Sequence, residues 1–257
     1  MKMQKIVFSG AAALLVFFAS CASTGGAAVS QPVEKYWDFK TPATTPVEGV
    51  DYQTVEGSWN ITENGLDFDI RPGKDQGEVK LMFLDSVMAN GRMDIEIEIT
   101  GTYSNEGGGT TGNAGLILHG ARFYPGTDTF DGYYVGVGTG KAATQGNYHF
   151  ESSWYNQSWH DLWNDENTNI PANQGPFTLS VTVINDGATA VIYDRNGNEV
   201  RSLDGNTGDG RGAPPASGIA GLRVWNARGT IHSIRITNVG EGLDFATGVA
   251  EAAEVAE

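Results

Sequence analysis

Met93-Asp94-Ile95-Glu96-Ile97-Glu98-Ile99 and Phe177-Thr178-Leu179-Ser180-Val181-Thr182-Val183 decide the fold. In both stretches an apolar residue alternates with a polar one, the two-residue period of a strand with one face buried and the other wet. The same period runs through Leu66-Asp67-Phe68-Asp69-Ile70, behind the turn signal Glu63-Asn64-Gly65, and predicts a hairpin whose first arm spans residues 54–61. Residues 188–193 follow Asn185-Asp186-Gly187 and end at a second turn, Asn196-Gly197, and residues 219–225 and 230–236 complete the set. Beyond the first twenty residues there is no apolar stripe of helical period, and no repeat of fixed length. Short strands punctuated by Gly and Asn predict one all-β domain over residues 34–239, a two-sheet antiparallel sandwich with its N- and C-terminal strands paired.

The composition excludes several functions. A chain of 257 residues with a single Cys has no disulfide framework and no multi-cysteine zinc site. Its formal charge of −15 is the wrong sign for nucleic acid, whose phosphates need a basic footprint. The Gly-rich run Gly136-Val137-Gly138-Thr139-Gly140-Lys141-Ala142 is not a phosphate loop, because its first Gly falls out of place and Ala follows the Lys. Four scattered His residues have no zinc spacing, no Gly-x-Ser-x-Gly elbow occurs, and the turn Pro125-Gly126-Thr127-Asp128-Thr129-Phe130-Asp131 lacks the spacing of a calcium loop.

The N-terminus reads as an address. Lys2 and Lys5 precede an apolar run, and Phe18-Ala19-Ser20-Cys21 follows it. This is the layout of a secretory signal. The lone Cys after two small residues resembles a bacterial lipobox, with Phe18 where Leu is usual. That resemblance implies a signal peptide over residues 1–20 and a lipid on Cys21, and Ala22 after it implies the outer membrane of the cell envelope. Residues 21–33, small and polar, predict a flexible tether, and residues 240–257 an acidic tail.

Residues 148–163 are the most informative for function. They read Tyr148-His149-Phe150-Glu151-Ser152-Ser153-Trp154-Tyr155-Asn156-Gln157-Ser158-Trp159-His160-Asp161-Leu162-Trp163, with half of the six Trp residues inside ten positions. Flat aromatic faces suit the C–H faces of sugar rings, while Asn, Asp and His suit the hydroxyls. The segment is expected to be a loop, serving as a glycan site built on Trp154, Tyr155, Trp159, His160 and Trp163, or as a lid over the sandwich. Asp94, Glu96 and Glu98 share one strand face at about 7 Å spacing, within reach of a glycosidase pair, although a solvated outer face gives the same pattern.

Three stretches together resemble the concanavalin A-like lectin/glucanase superfamily, and within it laminin-G-like and 3-keto-disaccharide-hydrolase-like domains. They are Gly57-Ser58-Trp59-Asn60-Ile61 with Asn64-Gly65-Leu66; Asn113-Ala114-Gly115-Leu116-Ile117-Leu118 with Gly132-Tyr133-Tyr134-Val135-Gly136-Val137; and Gly218-Ile219-Ala220-Gly221-Leu222-Arg223 with Ile234-Arg235-Ile236-Thr237-Asn238. The resemblance implies a jelly roll that binds or cleaves glycans on its concave sheet. Its ligand-facing positions match His119, Tyr134, Gly136 and Arg223, and Trp225 shares the face of Arg223 by period 2. The basic or acidic residues frequent at the first three of these positions are absent here, which favours binding over hydrolysis. No cofactor is expected; the superfamily admits a structural calcium.

The leading expectation is an envelope-anchored lipoprotein with a carbohydrate-binding domain, its partners a glycan and, through the lipid, a membrane. The alternatives are a glycoside hydrolase of the 3-keto-disaccharide type, and a structural envelope protein that uses its aromatic segment for protein contacts. If Cys21 carries the lipid, Cys21→Ser releases the protein from the membrane fraction or stalls its processing. A variant that matures normally and still floats with membranes contradicts the lipobox reading.

Overall fold

The computed structural model of the chain describes residues 33–71, 78–84, 86, 88–103, 112–138, 147–156, 159–171, 175–184, 187–206 and 217–238. The expected signal peptide, Cys21, the tether up to residue 32 and the acidic tail lie outside the described residues. In chain order the strands are β1 (Val33–Asp38), β2 (Tyr52–Glu56), β3 (Asn60–Thr62), β4 (Gly65–Asp69), β5 (Glu78–Phe83), β6 (Gly91–Thr102), β7 (Asn113–Ala121) and β8 (Asp131–Gly138). They continue with β9 (Asn147–Asn156), β10 (Trp159–Pro171), β11 (Phe177–Ile184), β12 (Gly187–Tyr193), β13 (Glu199–Asn206), β14 (Ile219–Trp225) and β15 (Ala227–Asn238). Among the described residues the only helical turn is a 3-10 turn at Pro42–Thr44.

The strands form two antiparallel sheets. The first has the order β13-β12-β11-β6-β15-β4-β3, with β1 also paired to β15; the second has the order β10-β9-β8-β7-β14-β5-β2. The N-terminal strand pairs with the C-terminal one over Val33↔Asn238 to Asp38↔Ser233, as the sequence pattern predicts. Between the sheets, Met93, Ile95, Ile97 and Ile99 of β6 and Phe177, Leu179, Val181 and Val183 of β11 pack into one core. Leu116 and Leu118 of β7, Val135 and Val137 of β8, and Leu222 and Val224 of β14 come from the other sheet. Trp37 stacks on Phe83 at 5.0 Å, tying β1 to β5 across the layers. Alternation is thus cashed in twice: one residue set fills the core, and the other is left on the outer faces.

Two expectations are corrected. Residues 54–61 are not one arm of a hairpin. The chain breaks at Gly57, which has φ +76, so that β2 joins the second sheet while β3 pairs with β4 in the first. Residues 148–163 are not a loop. They form the β9–β10 hairpin at the edge of the second sheet, with Trp159 opposite Tyr155 and His160 opposite Trp154.

β7 and β8 approach closely at Gly115. A methyl group there would meet the Val135 carbonyl oxygen at 2.1 Å and the Gly136 Cα at 2.5 Å, both backbone atoms of the neighbouring strand. Gly115→Ala should therefore cost about 3 kcal/mol by overpacking. Gly197→Ala, where φ is +79 but open space surrounds the site, should cost only about 1 kcal/mol of backbone strain. Urea midpoints of the two variants check this; equal losses contradict the close approach.

Candidate functional site

The second sheet carries an unusual outer side. Register places Lys80 opposite Arg223, Arg223 opposite Gly115, and Gly115 opposite Gly136. One step along, Glu78 lies opposite Trp225, and Trp225 opposite Asn113. By period 2 these rows face away from the core strip Leu81, Leu222, Leu116 and Val135. Yet Glu78 and Lys80 have no exposed surface, and Arg223 keeps only 4% of its own.

The burial works because the groups satisfy one another. Lys80 Nζ donates to Glu78 Oε1 at 2.7 Å, to Glu56 Oε2 at 3.1 Å and to the Gly126 carbonyl at 2.5 Å, using all three of its donors. Arg223 donates from Nε to Glu78 Oε2 at 3.0 Å, from Nη1 to Asn113 Oδ1 at 3.0 Å and from Nη2 to Asp128 Oδ1 at 2.9 Å. Its guanidinium lies 5.0 Å from the centre of the Tyr134 ring, and the Tyr134 hydroxyl donates to the same Asn113 oxygen at 2.9 Å. Gly136 makes room for that ring, since a methyl group there would meet the Tyr134 hydroxyl oxygen at 2.2 Å.

The loop 122–130 closes over this network. The Gly126 amide donates to Glu56 Oε2 at 2.7 Å, and Asp128 reaches Arg223. Phe123 stacks on Phe130 at 6.1 Å, and both pack with Ile117 and Tyr134 in a small apolar cluster separate from the main core. Arg122 pairs with Asp131 at the root of the loop. Arg122 and Asp128 hold φ of +51 and +59, a conformation that non-glycine residues seldom adopt.

Two carboxylates on one guanidinium are driven in opposite directions. Burial alone would push Glu78 up, but the charges of Arg223 and Lys80 outweigh it and hold Glu78 below its ordinary value. Burial pushes Asp128 up, and the neighbouring Glu78 charge adds to that against the pull of Arg223. Glu78 therefore contributes stability that is complete above its unfolded pKa and is lost as pH falls through its lowered folded value. Asp128 works the other way, and acidification through its raised value relieves a cost.

The cage of Glu56, Glu78 and the Gly126 carbonyl has the oxygen donors of a hard-cation site. The Lys80 ammonium fills it, so these residues do not fit a calcium ion. Among the described residues, no group of three or more His, Cys, Asp and Glu side chains could hold a metal.

The expected site residues scatter. Tyr134 and Arg223 meet in the network, and Trp225 stands half-buried beside it. His119 does not join them. It lies at a bulge with φ +52, buried, its ring 5.7 Å from that of Tyr133 on the core side. The register of β9 places Tyr155 opposite Gly132 and Ser153 opposite Tyr134, in the outer row, with Trp159 of β10 opposite Tyr155. Trp154 is opposite Tyr133, with His160 beside it, and Trp163 pairs with Ser152, which is opposite Val135; these positions belong to the core row. Asp94, Glu96 and Glu98 are the solvent-side set of β6, with Arg92 on Asp94 at 2.9 Å and His232 3.6 Å from Glu98.

Glu56, Glu78, Lys80, Asn113 and Asp128 were not expected. The alternation Glu78-Val79-Lys80-Leu81-Met82-Phe83 marks β5 as a strand, but only its pairing with β14 shows that its charges meet Arg223.

No family model matches the sequence, and no curated protein matches it. Solved structures do share the fold. The exoplasmic/lumenal domain of VIP36 in a Ca2+- and mannose-bound form has a TM-score of 0.55 at 11% identity, over 82% of this chain and 92% of that one. An apo Crh5 transglycosylase has a TM-score of 0.51 at 12% identity, over 82% and 89%. The CBM2 module of the evolved Dit of Lactobacillus casei BL23 phage J-1 has a TM-score of 0.52 at 10% identity, over 84% and 100%. At these identities the likeness concerns the fold, a two-sheet antiparallel sandwich of the lectin type.

Removing one partner from a buried ion network leaves the others uncompensated. Lys80→Met leaves Glu78 Oε1 without its donor and Glu56 without its cation, and should cost about 3–5 kcal/mol. Urea unfolding of the variant measures it; a loss below about 1 kcal/mol would mean that the ammonium is not enclosed.

Proposed function

We propose that this chain is a carbohydrate-binding protein whose ligand lies on the outer face of the second sheet. One observation carries the reading: polar and aromatic residues of that sheet gather on its outer side beneath the loop 122–130, locked in place before any ligand arrives, with Trp225 half-buried at their margin. A sandwich needs only one apolar face per sheet, and the first sheet shows the ordinary alternative, a solvated row of charges on β6. Rigid polar groups beside half-buried aromatics are what a sugar site requires, because stacking and hydroxyl contacts gain little if the protein must order itself first. Trp225 and the outer-row positions Tyr155 and Trp159 supply stacking candidates at the two ends of the face. The fold is shared with the mannose-bound VIP36 domain, a transglycosylase and a CBM2 module, and this supports the reading.

Binding is favoured over hydrolysis by the state of Glu78. Its Oε1 accepts from Lys80 and its Oε2 from Arg223, and both side-chain oxygens are buried. A glycosidase carboxylate has to reach its substrate; this one is consumed inside the protein. The lipid on Cys21 and the tether of residues 21–33 would hold the domain at the cell envelope, in the outer membrane, with the anionic domain projecting away from an anionic surface.

A glycan array probed with the purified protein tests the proposal. Trp225→Ala and Trp159→Ala should each weaken the captured glycan several-fold to about tenfold, with little change in melting temperature. Glu96→Gln on the opposite sheet should leave binding unaltered. Absence of any glycan captured by the folded protein would overturn the reading, and release of reducing ends from a captured glycan would favour the hydrolase.

A further inference from the structure

We infer that the ligand carries a carboxylate, that of a uronic acid residue, and that Asp128 occupies its place on Arg223 in the free protein. The inference rests on the reading of the outer sheet face as a glycan site, and it names the sugar class.

Asp128 differs from the other polar side chains of the network. Glu56, Glu78, Lys80, Asn113 and Arg223 stand on strands, fixed by the ladder of hydrogen bonds. Asp128 comes from the loop 122–130, its side chain is 33% exposed, and its backbone sits at φ +59. It is thus the outermost acceptor on a guanidinium that is itself buried. Among the described residues the network holds three carboxylates, Glu56, Glu78 and Asp128, against two cations, Lys80 and Arg223. The third carboxylate is in surplus, and burial disfavours its charge. Asp128 is the most exposed of the three, at 33% against 12% for Glu56 and none for Glu78, and it alone of them stands on a loop, so its departure leaves the strand ladder untouched.

What would replace it follows from the donor. A planar guanidinium selects planar carboxylates, and Nη2 presents its N–H groups to Asp128 Oδ1 and Glu78 Oε2 together. A uronic acid carries such a carboxylate on a rigid pyranose ring, so the same contact that holds the loop would orient the sugar toward the half-buried Trp225. The rigid ring adds little internal ordering cost to that of association, and the hydration that Asp128 regains on leaving offsets what the incoming carboxylate loses. The net charge of −15 opposes a polyanion at long range, but screening over about 8 Å at physiological salt confines that opposition.

The test uses immobilised oligosaccharides of glucuronic, galacturonic, mannuronic and guluronic acid beside neutral oligosaccharides of glucose, galactose and mannose. The probes are the full chain, Asp128→Asn and Asp128→Gly, two residues that tolerate the left-handed backbone, each checked by its melting curve. At least one uronate should be bound in preference to the neutral sugars, and both variants should bind it about three- to tenfold more tightly, having lost the internal competitor. Capture of neutral sugars alone overturns the inference and leaves the glycan reading standing. Equal or weaker uronate binding by a folded variant overturns the role of Asp128. Failure to bind any sugar overturns the glycan reading itself.

Discussion

The pairing of Glu78 with both Arg223 and Lys80 is the constraint on which the outer half of the molecule depends. A carboxylate without exposed surface is tolerable only if each oxygen is answered, and here β5 and β14 answer both. Once that pair is fixed, the rest follows outward. Arg223 fixes the Asn113 side chain, Asn113 fixes the Tyr134 hydroxyl, and the Tyr134 ring, laid over Gly136, gives the loop 122–130 an apolar bed. Lys80 then ties Gly126 of that loop to β5 and, through Glu56, to β2. The loop is held by the same charges that the sheet had to neutralise.

This arrangement separates two jobs within one sheet. Its inner side packs Leu116, Val135 and Leu222 against β6 and β11 and sets the stability of the sandwich. Its outer side exchanges hydration for a rigid set of hydrogen-bonding groups, which adds little net stability but fixes geometry. On the outer side of β6 the carboxylates form separate pairs instead, Asp94 with Arg92 at 2.9 Å and Glu98 with His232 at 3.6 Å. This preorganised polarity beneath a loop is what the proposed recognition surface rests on.

The fold was legible because alternation is a local property. Ile95, Ile97 and Ile99 declare a buried face whatever they pack against, and Asn196-Gly197 declares a turn without reference to the rest of the chain. The misreadings had equally local causes. Residues 54–61 keep strand-like composition through Gly57, where the chain changes sheets, and composition does not report which sheet a strand joins. Residues 148–163 set Trp among polar residues and so read as a loop, whereas their backbone pairs as a hairpin at the edge of the second sheet. The resemblance points to Arg223 and Tyr134, but Glu78 lies 145 positions from Arg223, Asp128 lies 95 from it, and Lys80 lies 24 from Glu56. Only the register of antiparallel strands brings such residues together, and register is not written in any single segment.

The central claim is that the outer face of the second sheet, organised by Arg223, is the recognition surface. Nitrogen–proton NMR of the Arg223 Nε–H and the Trp225 indole N–H reads that face directly during titration with a glycan captured on the array. The account predicts that both signals shift in step with saturation, while the backbone amides of β6 residues Asp94, Glu96 and Glu98 stay in place. Shifts confined to β6, with Arg223 and Trp225 unmoved at saturation, would contradict it.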